Sequence, residues 1–152
     1  MGWIKLTAEE DVELLMEHVD GFHDWYVAGF FYDPLAQSED DDLNLARFKV
    51  DTDTLTITFR WDAKTERGTW PEVQVEFRHL HVFNFSNYSD PDPLWSCVIE
   101  KTIRGCWVFA DDNCGGLSEE ERLHPERIVS NLLVICDEMR WRTAQANPPD
   151  CY

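Results

Sequence analysis

Apolar residues recur along this chain with two different periods, and the change from one to the other divides it. Near the N-terminus Val12, Leu15, Met16 and Val19 fall at i, i+3, i+4 and i+7, which lays one apolar stripe along a helix. Thr7 and Glu10 have the T-x-x-E spacing of a capping box in front of that helix, and Gly21 is a natural stop behind it. From Trp25 the period becomes two. Trp25 to Tyr32 is aromatic and β-branched at both alternating sets of positions, which predicts a strand covered on both sides and ended by Pro34. Leu55, Ile57, Phe59 and Trp61 alternate with Thr56, Thr58, Arg60 and Asp62, the pattern of a strand with one buried face. With Ala46 to Val50 in front and the turn-rich Asp51 to Thr54 between, the expected unit is a hairpin.

Val73, Val75 and Phe77 continue the alternation before the apolar phase moves to Leu80 and Val82, the shift that a β-bulge produces. Asp90-Pro91-Asp92-Pro93 reads as a turn, followed by strands at Trp95 to Ile103 and Cys106 to Ala110 around Arg104-Gly105, so that three consecutive antiparallel neighbours are expected. Ser118 and Glu121 form a second capping box for a short helix near residues 118–124, stopped at Pro125. Ile128 to Trp141 fits either period: Ile128, Leu132, Ile135 and Met139 would line a helix, whereas Leu132, Val134 and Cys136 would line a strand. The density of β-branched and aromatic residues favours a strand over Leu132 to Trp141. Asn147 to Asp150 should be irregular. The expected fold is α+β, mainly an antiparallel sheet with an N-terminal helix packed on it and a short second helix, in a single domain over residues 1–152.

Charge narrows the partners. Thirty acidic against thirteen basic residues give a net charge of -17, a field that repels phosphate backbones and anionic lipid and attracts basic surfaces. Nucleic acid and membranes are thereby disfavoured. Twenty aromatic residues and an apolar fraction of 43% set the chain apart from disordered acidic sequences. No apolar run has the length of a signal peptide core or a membrane span, so a cytoplasmic protein is expected. Cys97, Cys106, Cys114, Cys136 and Cys151 are odd in number and lack a Cys-x-x-Cys spacing, which predicts reduced thiols rather than a disulfide framework or a zinc ribbon.

Candidate chemistry is thin. His23-Asp24 joins an imidazole to a carboxylate, but neighbours on a strand point to opposite faces, and a structural turn with Trp25 behind it explains both. His79 and His81 would share a strand face and reach one metal, yet the proposed bulge turns that face to solvent. His124, before Pro125, reads as a loop or cap residue. Cys114 beside Gly115-Gly116 is the most exposed thiol by sequence, without a base that can be named for it. No G-x-S-x-G, P-loop or dinucleotide motif occurs. No catalytic residue, metal or cofactor is assigned. Glu39, Asp40, Asp41 and Asp42 form a solvated acidic loop, and with Asp111, Asp112 and the loop tryptophan Trp70 they are the expected partner-binding residues.

The order of a helix, Gly21-Phe22-His23-Asp24-Trp25, the strand Leu55-Thr56-Ile57-Thr58-Phe59 and then Val75-Glu76-Phe77-Arg78-His79-Leu80 resembles a group of small bacterial proteins with an F-H-D start. That group includes predicted immunity proteins of polymorphic toxin systems. The resemblance spans roughly residues 20 to 85, echoes weakly at Leu133 to Met139, and is broken by the acidic insertion from Ala36 to Leu43. It implies a non-catalytic protein that neutralises a toxin, for which an acidic surface suits a basic target. Two other readings stand beside it: a metal-binding protein or hydrolase using His23, Asp24, His79 and His81, and a structural or self-associating module.

Overall fold

The structure, a computed structural model, describes residues 2–34, 53–61, 70–86, 93–94, 96–111 and 116–146. Strand β1 (Ile4–Lys5) precedes helix α1 (Glu9–Val19), which is followed by β2 (Trp25–Asp33), β3 (Thr54–Trp61), β4 (Trp70–Phe85), β5 (Cys97–Lys101), β6 (Trp107–Asp111), α2 (Glu119–Leu123) and β7 (Leu132–Ala146). All pairings are antiparallel, in the order β2-β3-β4-β7-β6-β5, with β1 on β7. The α+β expectation holds, and the ambiguous segment after Leu132 is a strand.

The N-terminal cap differs in register from the sequence reading. Ala8, not Thr7, is the N-cap residue, and Asp11, not Glu10, closes the turn. Asp11 Oδ2 accepts the Thr7 and Ala8 amides at 2.8 and 2.9 Å and the Thr7 hydroxyl at 2.7 Å, so that three donors meet one carboxylate. At the other end Asp20 takes the left-handed conformation, φ 50°, one residue before Gly21.

The main core lies between α1 and one face of the sheet. Val12, Leu15 and Val19 of the helix meet Leu55, Ile57 and Phe59 of β3, Val73, Val75 and Phe77 of β4, and Val134, Met139 and Trp141 of β7. Phe22, Phe59, Phe77 and Phe109 gather at its centre, with the Phe109 ring centroid 5.5 Å from that of Phe22, 5.6 Å from Phe59 and 5.6 Å from Phe77. Each such ring fully buried stabilises by about 1.5–3 kcal/mol. Trp25, Trp107 and Trp141 are buried as their strand positions imply.

The opposite face is divided. Over β6 and β7 it is apolar, where Val108, Ala110, Leu133 and Ile135 are covered by Leu117 and Ile128. The covering segment is anchored by the predicted Ser118–Glu121 capping box, by the Leu117 amide on Glu100 Oε2 at 2.8 Å and by Arg122 on Glu100 Oε1 at 2.9 Å. Over β3, β4 and the far half of β7 the same face is polar and charged.

Several expectations change. β5 and β6 pair around Gly105, φ 87°, but β7, last in the chain, lies between β4 and β6, so β4, β5 and β6 are not three consecutive neighbours. β2 is an edge strand with Phe30, Phe31 and Tyr32 exposed, not a strand covered on both sides. The bulge is present: His79 has φ 56°, and pairing with β7 slips by one residue between Leu80 and Val82. Its effect is to separate those two residues, for Leu80 packs on the main core while Val82 packs on the second cluster. Ala46 to Val50, the acidic loop from Ser38, Asp90 to Asp92, Trp95, Cys114 and Asn147 to Asp150 lie outside the described residues.

Candidate functional site

His23 and Asp24 are brought together, though not as strand neighbours would be. Asp24 has φ 66°, its amide donates to Leu94 O at 3.1 Å, and its carboxylate lies 3.0 Å from His23 Nδ1, with both side chains exposed. The left-handed backbone turns the carboxylate onto the ring. His79 and His81 do not act as a pair. The His79 amide donates to Asp53 O at 3.0 Å and its ring is exposed, and His124 pairs with Glu126 at 3.5 Å.

His81 instead belongs to a cluster drawn from β4, β7 and the residue that precedes β6. Its Nε2 is hydrogen-bonded to Asp137 Oδ1 of β7 at 2.7 Å, and the Cys106 thiol, just before β6, donates to the same oxygen at 3.6 Å. Among the described residues these three are the one group of three or more His, Cys, Asp or Glu side chains with metal-compatible spacing, their ligand atoms lying within 4.8 Å of one another. The register explains the meeting. Trp107 pairs with Cys136, so the next step out sets Cys106 beside Asp137, while the slip in β4 brings in His81 from the other side. Burial first, and then the Asp137 charge, push the Cys106 thiol up from its ordinary value. Such a thiol is protonated at neutral pH and is a poor nucleophile.

The polar part of the sheet forms a second assembly that sequence reading passed over. Glu76, 7% exposed, accepts from Arg78 Nε at 2.6 Å and from Arg140 Nε and Nη2 at 2.8 and 3.0 Å. Trp3 lies over Arg140 and Arg142 at 4.7 and 4.3 Å from ring centroid to guanidinium carbon, and Arg142 donates to Gln74 at 2.7 Å. A cleft of about 200 Å³ opens beside it, lined by Trp3, Lys5, Arg78, Glu138 and Arg140 among others. The period-two spacing of Glu76 with Arg78 and of Arg140 with Arg142 was a legible signal that each pair shares a face. A wider cavity of about 440 Å³ lies between the start of α1, β5 and α2, lined in part by Val12, Ile99, Trp107 and Arg122.

The expected partner-binding residues scatter. Glu39, Asp40, Asp41, Asp42 and Asp112 lie outside the described residues. Asp111 is 3% exposed, which corrects its assignment to an exposed acidic surface: its carboxylate accepts the Ser96 amide at 3.2 Å and the Cys97 thiol at 3.9 Å, and its carbonyl accepts the Ser130 hydroxyl at 2.6 Å. A buried carboxylate is retained only with such donors. Trp70 is not in a loop but opens β4, paired with Ala146. Cys97, Cys106 and Cys136 are free thiols, as expected, and burial raises Cys97 and Cys136 well above the ordinary thiol range.

Exposed aromatics on β2 are the feature that sequence reading placed indoors. Phe30, Phe31 and Tyr32 are 53%, 67% and 48% exposed, with Phe30 touching Phe83 and Phe85 at 5.6 and 6.0 Å and the Tyr32 hydroxyl donating to Asp53 at 3.3 Å.

No protein-family model, curated protein or solved structure matches this chain. Among the described residues no helix is long and apolar enough to cross a membrane.

Proposed function

We propose that this chain is a non-catalytic, acidic protein-binding domain that docks a basic protein along the outer edge of β2. The observation that carries this reading is the run Phe30-Phe31-Tyr32, exposed on a strand that has β3 on one side and no strand of the described residues on the other. An open edge offers unpaired backbone amides and carbonyls, and edge strands are ordinarily guarded by charge or proline. Within β2 the guard is absent until Asp33, with Pro34 just after it. Aromatic side chains beside an edge that no described strand covers suit a partner that adds a strand and fills the space around the rings.

Charge selects the partner's sign. Asp24 directly precedes β2 and Asp33 ends it, in a chain of net charge -17. The resemblance to immunity proteins makes a toxin with a basic surface the first partner class to test.

The test is affinity purification of the full chain from its source cell, with the retained proteins identified and their binding remeasured with purified components. A basic partner should be retained, and Phe31→Ser should weaken it by at least ~10-fold, as truncation of a central aromatic anchor does. Retention of only neutral or acidic proteins, or equal binding by Phe31→Ser, would overturn the proposal. A pure dimer of this chain, seen as doubled mass in solution, would assign the edge to self-association instead.

A further inference from the structure

We propose that His81, Cys106 and Asp137 form a binding site for a borderline-soft divalent cation, with Zn²⁺ as the best fit and water completing the shell. The inference is independent of the partner-binding reading, because the cluster lies at the meeting of β4, β6 and β7 and not on the β2 edge.

The donor set argues for the metal's class. One thiol, one imidazole and one carboxylate suit Zn²⁺ or Co²⁺, whereas Ca²⁺ and Mg²⁺ select all-oxygen shells. Geometry argues for a tetrahedral ion. With zinc–ligand bonds of about 2.0 Å to nitrogen and oxygen and about 2.3 Å to sulfur, the donors stand about 3.3 Å (N to O) and about 3.5 Å (S to O) apart. Cys106 Sγ is already 3.6 Å from Asp137 Oδ1. His81 Nε2, at 2.7 Å from the same oxygen, needs to open by roughly half an ångström, which a side-chain rotation supplies. His81 and Asp137 are 49% and 46% exposed at their side chains, which leaves an entry path and a place for water.

The same geometry disfavours a thiol nucleophile. In a nucleophilic arrangement the imidazole stands between thiol and carboxylate and takes the thiol proton. Here Asp137 stands between Cys106 and His81, accepting from the one and hydrogen-bonded to the other. A cation that replaces those hydrogen bonds joins all three groups, and the thiol proton leaves to solvent as the sulfur binds.

The full chain, stripped with a chelator and titrated with Co²⁺ and Zn²⁺, tests the proposal. One equivalent of Co²⁺ should bind at ~1 µM or tighter and produce a thiolate-to-cobalt charge-transfer band, which Zn²⁺ then abolishes by displacement. Cys106→Ser should lose the band, and His81→Ala and Asp137→Asn should each weaken binding at least ~10-fold. No saturable binding below ~100 µM, or a band that survives in Cys106→Ser, would overturn the site. Should Cys106→Ser fail to fold, the other two variants decide, since both side chains are half exposed: unchanged Co²⁺ affinity in both also overturns it.

Discussion

Glu76 is held between Arg78 and Arg140 beneath the ring of Trp3, nearly out of contact with water. The two guanidinium groups are tolerated so close together because a carboxylate lies between them. Glu76→Gln keeps the shape and removes that charge, and should destabilise the fold by about 3 kcal/mol, read as a lower urea midpoint at unchanged slope. Replacing Glu76, Arg78 and Arg140 together by apolar residues of similar volume should restore most of the loss, because no charge is then left without its counterpart. A Gln variant as stable as the parent would show that the triad is solvated. At this scale the sequence was legible only where neighbours along a strand decide the matter. It marked His81 as exposed on a bulge, but Asp137 lies 56 positions away and becomes its partner only through the register of β4 on β7. Asp111 was read as exposed because acidic residues usually are, yet the amide of Ser96 and the thiol of Cys97 draw it inside.

Elements were easier to read than their ends. The stripe of Val12, Leu15 and Val19 gives α1 directly, while the cap was displaced by one residue because Thr7 uses its hydroxyl as a donor to Asp11 instead of as an acceptor for the helix. Asp11 carries a consequence for pH. The Thr7 hydroxyl, then the Thr7 and Ala8 amides, hold its carboxyl below the ordinary value of 3.8. A carboxyl lowered by folding stabilises the fold above its unfolded value, and that contribution is lost as pH falls through the lowered one. Asp11→Ala should therefore melt below the parent at pH 7, and the gap should shrink as pH falls to about 2. A gap independent of pH would mean that the ionised carboxylate is not what caps the helix. β7 was legible as a strand from Leu132 to Trp141 because its residues are β-branched and aromatic, but it runs on to Ala146, five residues past the expected end, where it pairs with the start of β4. The exposure of β2 was not legible, since an aromatic edge and a sandwiched central strand share one sequence pattern.

Across the whole molecule, sheet order was the hidden quantity. Alternation shows that a segment is a strand and which side chains share a face, but not which strand lies beside it, and β7 enters the middle of the sheet after every other strand has been made. That placement brings His81, Cys106 and Asp137 together and divides the second face into an apolar half and a charged half.

Net charge acts at the same scale, and its two consequences have opposite signs. A chain of -17 repels itself when folded, so salt should stabilise it. Raising NaCl from about 20 mM to about 0.5 M shortens the screening length from roughly 20 Å to roughly 4 Å. The melting temperature should rise across that range, measured by far-ultraviolet circular dichroism. A flat or falling melting temperature would mean that the acidic residues are already paired or too far apart to repel. Association with a basic partner should respond in the other direction, through slower encounter and weaker affinity as the same field is screened. Because the fold is firmer where binding is weaker, a loss of binding at high salt reports on the interface and not on unfolding.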